Sequence, residues 1–179
     1  MDMGLLIYFF SLEIGQDASG IKLSHSKYAK DLLVRFHMIG CNSTTTPFLS
    51  GVHLEDGGDT PMVDNDLYWQ LVGSLLYLTH TQSDISYAVG EVSRYMQVPH
   101  ELHWKASKQI LIYVQGTTSY GIHYATCCAL DLMGFTYSDW IGDNIDCKST
   151  FGYVLSLDSN PIYWLRKKQS TINLSSAEA

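Results

Sequence analysis

The 179-residue sequence predicts an α+β fold in two parts, a helical part up to residue 117 and a β-sheet part over residues 118–179. In the first part, apolar residues recur at helical spacing in several successive segments. After residue 117 the pattern changes to short aromatic and β-branched segments separated by Gly, Asp and Asn, which indicates antiparallel strands. The 46% hydrophobic and 12% aromatic content is enough for a packed core and excludes a disordered chain.

The N-terminal region is predicted to form a hairpin and one helix. Residues 6–14 are rich in aromatic and β-branched side chains and predict a single strand. The Gly-, Asp- and Ser-rich residues 15–20 predict a turn, and residues 21–24 a returning strand. Ser24 or Ser26 is the expected N-cap of the helix that follows.

The middle of the first part is predicted to be a loop followed by three helices. Residues 41–66 contain two prolines and several acidic residues without neighbouring cations. This composition is compatible with a functional acidic site and favours a solvated linker. Helical spacing then predicts helices over residues 66–80, 84–97 and 100–116, with Asp84 as a plausible N-cap.

The second part is predicted to be an incomplete antiparallel sheet of about three strands. Without covering helices, such a sheet leaves an apolar face and an unpaired edge exposed, so we expect marginal stability or aggregation. The strand-like segments cover residues 120–125, 130–139, 150–158 and 161–171.

Charge and cysteine content argue against several classes of protein. The formal net charge is −7, from 11 Lys and Arg against 18 Asp and Glu, which argues against a free-standing nucleic-acid-binding domain. The four cysteines and seven histidines show none of the spacings of zinc sites. No segment reaches the roughly 20 apolar residues of a membrane span, and no basic residue precedes the apolar N-terminus. We therefore expect no membrane association and no targeting signal, and a cytoplasmic or nuclear location.

Eight short segments occur in an order that is informative about family. The segments are "YFFSLEI", "SKYAKDLL", "LVGSLLYLTHTQSDISYAV", "HWKASKQILIYVQGT", "GFTYSDW", "KSTFGYV", "WLRKKQST" and "SSAEA". In this order they resemble the Pol polyprotein of copia-type LTR retrotransposons. The resemblance implies that residues 1–117 are the thumb and connection region of a reverse transcriptase, and that residues 118–179 begin a ribonuclease H domain.

Ribonuclease H chemistry implies a site for two Mg²⁺ ions held by carboxylates, which cleaves the RNA strand of an RNA–DNA hybrid. By the resemblance, Asp139 on the first strand and Glu178 in the first turn of the first helix are the catalytic and metal-binding positions. Family members usually have Ser-Asp-x-Asp-Trp at the first strand, whereas this chain has Ser138-Asp139-Trp140 and is two residues shorter. The remaining carboxylates of the family follow the stretch that resembles "SSAEA".

The resemblance also implies a basic surface for the hybrid, and this chain has fewer cations there. Where family members commonly have Arg or Lys, this chain has Gln82, Gln109, Ile112, Gln115 and Trp69. Each missing cation removes a potential interaction with a phosphate. The basic residues that remain as candidate nucleic-acid contacts are Lys22, Lys27, Lys30, Arg166, Lys167 and Lys168.

Three functions follow as hypotheses. The first is a Pol fragment without catalytic activity, because the sequence lacks the polymerase's Tyr-x-Asp-Asp hairpin and the later ribonuclease H carboxylates. The second is a co-opted, non-catalytic module that binds an RNA–DNA hybrid or a protein. The third is a Mg²⁺-dependent ribonuclease H whose missing carboxylates come from a partner or from further sequence.

Overall fold

The computed structural model describes residues 5–48, 54, 60–126, 131–138, 148–158 and 160–170. These residues form four α-helices and two antiparallel sheets, so the α+β class predicted from the sequence is confirmed. The chain divides into two compact units. Unit 1 comprises Met1–Gln16 and Lys22–Ile122, and unit 2 comprises Asp17–Ile21 and His123–Ala179.

The helices all belong to unit 1, and local signals explain their starts. The Asp64 side chain accepts a hydrogen bond of 3.0 Å from the backbone N–H of Leu67, which caps the second helix. Asp84 does not cap a helix directly; it lies in a 3₁₀ turn, Ser83–Ile85, that leads into the third. The helices are α1 (Ser26–Arg35), α2 (Asn65–Leu78), α3 (Ser86–Ser93) and α4 (Glu101–Gly116).

The seven strands form two sheets. The first has the order β1-β2-β3-β4 and the second β5-β6-β7. In the second sheet the ladder places Phe135 opposite Val154, and Val154 opposite Trp164. The strands are β1 (Tyr8–Phe9), β2 (Leu12–Asp17), β3 (Gly20–Ser24), β4 (Gly121–Ala125), β5 (Leu132–Ser138), β6 (Thr150–Leu157) and β7 (Asn160–Lys168).

The predicted strand over residues 6–14 is wrong. It is a hairpin in which Phe9 pairs with Leu12, and the two-residue turn between them has positive φ at both positions, 46° at Phe10 and 62° at Ser11. Two-residue hairpin turns with positive φ favour Asn and Gly, so Phe and Ser give no sequence signal for this turn.

Strand β4 lies in the N-terminal sheet next to β3, and not in the predicted C-terminal sheet. Two glycines permit the close approach. A Cβ atom on Gly121 would lie 2.2 Å from the carbonyl oxygen of Leu23, and one on Gly20 would lie 2.0 Å from that of Tyr124. Both positions therefore exclude any side chain.

The hydrophobic core of the described residues lies in unit 1, where α2 supplies its centre. The Tyr68 hydroxyl is buried there and donates a 2.7 Å hydrogen bond to the carbonyl of Val92, which fixes α2 against α3. Within the described helices no segment is long and apolar enough to cross a membrane. The core residues from α2 are Tyr68, Leu71, Val72, Leu75 and Leu78, and those from α4 are Ile110, Leu111 and Val114.

Candidate nucleic-acid interface

The N-terminus of helix α1 is capped by a carboxylate from strand β2. The predicted caps, Ser24 and Ser26, are wrong, because the N-cap residue is His25 and makes no side-chain capping bond. Instead Glu13 on β2 accepts a 2.6 Å hydrogen bond from the backbone N–H of Lys27. A carboxylate at this end also stabilises the helix dipole. The first sheet therefore fixes the end of α1 that carries the predicted basic residues.

The predicted cations of unit 1 are exposed. Lys22 lies on β3, and Lys27 and Lys30 lie three residues apart on α1. None of the three makes an ion pair with a described residue. By contrast, Arg94 pairs with Glu91 at 3.2 Å and Lys105 with Glu101 at 2.9 Å. The α1 lysines are therefore better placed than those cations to meet an external anion.

The exposed side of α2 carries a glycine that the fold does not require. A Cβ atom added to Gly73 would have nothing within 4 Å among the described atoms outside its chain neighbours and the nearby backbone of its own helix. Glycine in an exposed helix interior costs about 1 kcal/mol relative to alanine. Gly73 is flanked on this side by Trp69, Gln70 and Leu76, of which Trp69 is 52% exposed. Gly73 is not among the residues predicted from the sequence, although a glycine inside a strong helical pattern was the available signal.

A cluster of aromatic rings connects this side of α2 to α1 and to the N-terminal hairpin. The Tyr77 and Tyr28 rings meet edge to face at 5.0 Å, and the Tyr28 hydroxyl donates to the carbonyl of Ser74 at 3.4 Å. The Tyr77 hydroxyl donates to the carbonyl of Phe10 at the hairpin turn. Unit 1 therefore brings the turn, the end of α2 and the start of α1 to one surface.

A buried histidine supports that cluster. His25 Nδ1 lies 2.8 Å from Thr81 Oγ1, and the His25 ring is 4.8 Å from the ring of Tyr77. Burial lowers the pKa of His25, the nearby His80 lowers it further, and Glu13 opposes the shift. A neutral imidazole therefore fits this position.

Gln82 stands where the resemblance implies a cation. Gln82 is buried, and its Nε2 donates a 2.7 Å hydrogen bond to the carbonyl of Thr117 at the end of α4. Its Oε1 has no hydrogen-bond partner among the described residues. Next to it, the Tyr113 hydroxyl donates to Asp84 at 2.5 Å, and burial together with this carboxylate raises the pKa of Tyr113. Gln82 therefore connects helices inside unit 1 and presents no charge to solvent.

The predicted basic run of unit 2 does not form one surface. Lys168, Lys167 and Arg166 lie opposite Thr150, Phe151 and Gly152 in the ladder, without a bulge between them. Side chains alternate along a strand. Arg166 and Lys168 therefore share one face of the sheet and Lys167 lies on the other, so the three cannot act as a single cationic patch.

The predicted catalytic residues lie outside the described residues. Strand β5 ends at Ser138, immediately before Asp139, and the description of the chain ends at residue 170, before Glu178. Among the described residues no three His, Cys, Asp or Glu side chains converge as a metal site would require. The assignment of Asp139 and Glu178 as Mg²⁺ ligands stays a prediction.

Comparison with known proteins identifies relatives that cover nearly the whole chain. The retrovirus-related Pol polyproteins from transposons RE2 and RE1 of Arabidopsis thaliana are 38% and 40% identical to it over 174 residues. These matches cover 97% of this chain and 12% of each polyprotein. The uncharacterized mitochondrial protein AtMg00810 of Arabidopsis thaliana is 35% identical over 178 residues, which is 99% of this chain and 73% of that protein.

No family model matches the chain, and no solved structure matches it. The relatives confirm the resemblance drawn from the eight ordered segments. The chain spans about an eighth of the length of the polyproteins that it matches. The chain therefore belongs to the family of copia-type retrotransposon Pol polyprotein sequences and corresponds to one segment of them.

Proposed function

We propose that unit 1 corresponds to the thumb and connection region of a reverse transcriptase and holds a nucleic-acid duplex, such as an RNA–DNA hybrid, without catalysing a reaction. The observation that carries the proposal is Gly73. Outside its chain neighbours and the nearby backbone of its own helix, no described atom would lie within 4 Å of a Cβ at this position, and an exposed glycine inside α2 costs stability. It permits the backbone of a bound partner to approach the helix closely, as glycine does at other sites of close backbone contact.

The surroundings of Gly73 favour a duplex over a protein as that partner. Trp69 and Gln70 offer an indole face and an amide to a groove, and α1 supplies Lys27 and Lys30 for the phosphate backbone. The chain as a whole is acidic, with a net charge of −7. Binding should therefore be weak and should depend on a few local cations, with a shallow dependence on salt.

Fluorescence anisotropy with a labelled RNA–DNA hybrid at low salt tests this function. Gly73→Leu should weaken binding because the side chain occupies the open space, while it stabilises the fold because leucine is the better helix former. The double variant Lys27→Gln/Lys30→Gln should weaken binding. It should also reduce the slope of log affinity against log salt by about 0.9 for each phosphate that is no longer neutralised.

The matched control for charge is Lys105→Gln, which removes a cation that already pairs with Glu101 on α4. It should leave hybrid affinity unchanged. Equal losses of affinity from Lys105→Gln and from the α1 double variant would show non-specific attraction. Unchanged binding by Gly73→Leu would contradict the proposed surface.

We propose that unit 2 begins a ribonuclease H-like domain. Its three antiparallel strands support this assignment, because β5 ends next to Asp139 and two more strands follow in order. Bound Mg²⁺ would activate water and stabilise the leaving oxygen. Asp139 and Glu178 are the two carboxylates that the resemblance assigns, and a site for two ions needs more than two.

We therefore expect these 179 residues alone not to cleave an RNA–DNA hybrid. Cleavage is measured with a labelled RNA strand in the presence and absence of Mg²⁺. Mg²⁺-dependent cleavage that disappears in Asp139→Asn would overturn this expectation and favour the hypothesis of an active ribonuclease H. The anisotropy assay is independent of this result, because it uses no Mg²⁺.

A further inference from the structure

A second buried histidine of unit 1, His103, is hydrogen-bonded to Leu54, which precedes α2 in the chain. His103 lies in the first turn of α4 and is 2% exposed. Its Nε2 lies 2.9 Å from the carbonyl oxygen of Leu54, and its Nδ1 lies 2.9 Å from the backbone nitrogen of His100. The Leu54 side chain is buried in the core. One imidazole therefore joins Leu54 to the start of α4.

The two partners determine where the proton of His103 lies. A backbone N–H can only donate, so Nδ1 must be the acceptor for His100. A carbonyl oxygen can only accept, so Nε2 must carry the hydrogen that Leu54 receives. His103 is therefore neutral, with its proton on Nε2, and both of its nitrogens are fully used.

A second proton on His103 is incompatible with this arrangement. It would have to bind Nδ1, where it would point at the N–H of His100 and replace an attraction by a repulsion between two donors. The imidazolium would also be a buried charge without an acidic partner among the described residues. His100 Nδ1 lies 2.8 Å from the carbonyl oxygen of Thr60.

Among the described residues, the groups that face His103 supply no compensating negative charge. The Tyr95 ring is stacked on the imidazole at 3.9 Å, and the Arg94 guanidinium lies 5.8 Å from the centre of that tyrosine ring, paired with Glu91. Tyr68 on α2 approaches Ser107, one turn further along α4. Burial lowers the pKa of His103, the Leu54 carbonyl opposes the shift, and His100 lowers the pKa further.

We propose that His103 is an acid-sensitive pin, which holds Leu54 against α4 while its imidazole is neutral and releases Leu54 when a second proton displaces the bond from His100. We expect the release to be local, because the core leucines of α2 and α4 also pack within a cluster to which α1 and α3 contribute. The device acts independently of the proposed duplex surface, whose residues lie on α1 and on the exposed side of α2.

NMR of the full 179-residue chain tests the pin. Spectra of the histidine ring nitrogens at neutral pH should show His103 with its proton on Nε2. On acidification, the methyl resonances of Leu54 should move towards those of an exposed leucine, with a midpoint below about pH 6.5, the ordinary value for histidine. The methyl resonances of Leu71, in the centre of the core, should stay in place through this transition.

His103→Phe keeps a ring to stack on Tyr95 and removes both nitrogens. In this variant the Leu54 methyls should be at their released position at neutral pH and should show no acid transition, whereas the control His80→Gln should keep the wild-type transition. A proton on Nδ1 at neutral pH would overturn the pin, and this measurement needs no variant. The pin would also be overturned if the Leu54 methyl resonances did not change when His103 takes up a proton, or if they moved together with those of Leu71.

Discussion

The helices of unit 1 and the sheet β5–β7 of unit 2 use similar apolar side chains with opposite results. In unit 1, Leu71 and Leu75 are completely buried. In the sheet, Leu132, Phe135 and Tyr137 remain 67%, 63% and 72% exposed. A core needs a second layer to cover the first, and the described residues of unit 2 supply strands but no helix to cover the sheet β5–β7. Apolar content alone therefore does not predict burial.

The two regions also rely on different interactions. Unit 1 depends on side chains from four helices that interlock in one core. The sheet depends on its hydrogen-bonded ladder and on cross-strand aromatic pairs, such as Tyr153 and Tyr163, whose stacked rings are 5.6 Å apart. Cross-strand pairs contribute about 0.2–1 kcal/mol each, less than a fully buried leucine.

Leu75→Ala should produce the largest loss of stability, because it leaves a cavity in the centre of the core of unit 1. The free energy of unfolding should fall by about 2–5 kcal/mol. Urea denaturation followed by far-ultraviolet circular dichroism measures it. The matched change in the sheet, Leu132→Ala, should alter stability by no more than about 0.5 kcal/mol, since Leu132 is already exposed. Equal losses from the two variants would show that unit 2 has a covered core of its own.

Acid should destabilise unit 1 selectively. Burial lowers the folded pKa of His25 below its ordinary value of 6.5, so the unfolded chain binds more protons below that pH. The stability contributed by neutral His25 is therefore complete above about pH 6.5 and is lost as the pH falls below it. Denaturation of wild type and His25→Gln at about pH 7.5 and about pH 5.5 should show a smaller pH dependence in the variant.

The exposed His123 of unit 2 provides the control for this measurement. His123→Gln should keep the full pH dependence of wild type. A pH dependence that His25→Gln leaves intact would assign the acid sensitivity of unit 1 to other groups, and His103 is the next candidate.

Periodic sequence patterns predicted those helices and strands whose formation depends on neighbouring residues in the chain. The three central helices and strands β5–β7 follow from apolar spacing and from Gly and Asp punctuation. The hairpin at Phe10 and Ser11 does not, because neither residue favours positive φ. The cap of α1 does not either, because its acceptor, Glu13, is distant in sequence. The position of β4 depends on Gly20 and Gly121, whose role appears only when two strands meet.

The candidate site was less predictable than the fold. The run Arg166, Lys167 and Lys168 is continuous in sequence but is divided between two faces by strand geometry. From the sequence alone, Gly73 predicts only a destabilised position in α2, and the structure adds that a side chain there would have free space around it. The assignment of Asp139 and Glu178 depends on the resemblance to a family, since no local pattern distinguishes them from ordinary strand-end and helix-start acids.

Glu13→Ala should have an intermediate effect, because it removes the capping carboxylate from the first turn of α1. The loss of stability should be about 1 kcal/mol. Glu13→Gln should recover part of it, because the amide oxygen still accepts from Lys27 but carries no charge. Thermal unfolding at low salt measures both variants. Equal losses from alanine and glutamine would mean that the charge alone matters, and no loss from either would contradict the cap.

The smallest effect concerns a turn in each unit whose backbone has positive φ. Ser11 has φ of 62°, a conformation that glycine adopts without strain, so Ser11→Gly should stabilise unit 1 by about 0.5–1 kcal/mol. Asp158 in unit 2 has φ of 52°, but aspartate tolerates this conformation and its Oδ1 accepts a hydrogen bond of 3.2 Å from the N–H of Asp131.

Asp158→Gly should therefore bring no gain, because relief of strain is offset by removal of the hydrogen bond to Asp131. Urea denaturation measures the free energy of unfolding of both glycine variants and of Ser83→Gly, a control at a position of ordinary φ. The control separates the relief of backbone strain from the entropy that glycine loses on folding. Ser83→Gly should destabilise, because glycine loses more backbone entropy on folding. Should Ser11→Gly destabilise as well, the hairpin turn would be held by contacts of the serine itself, and the difference between the two turns would no longer be one of backbone strain.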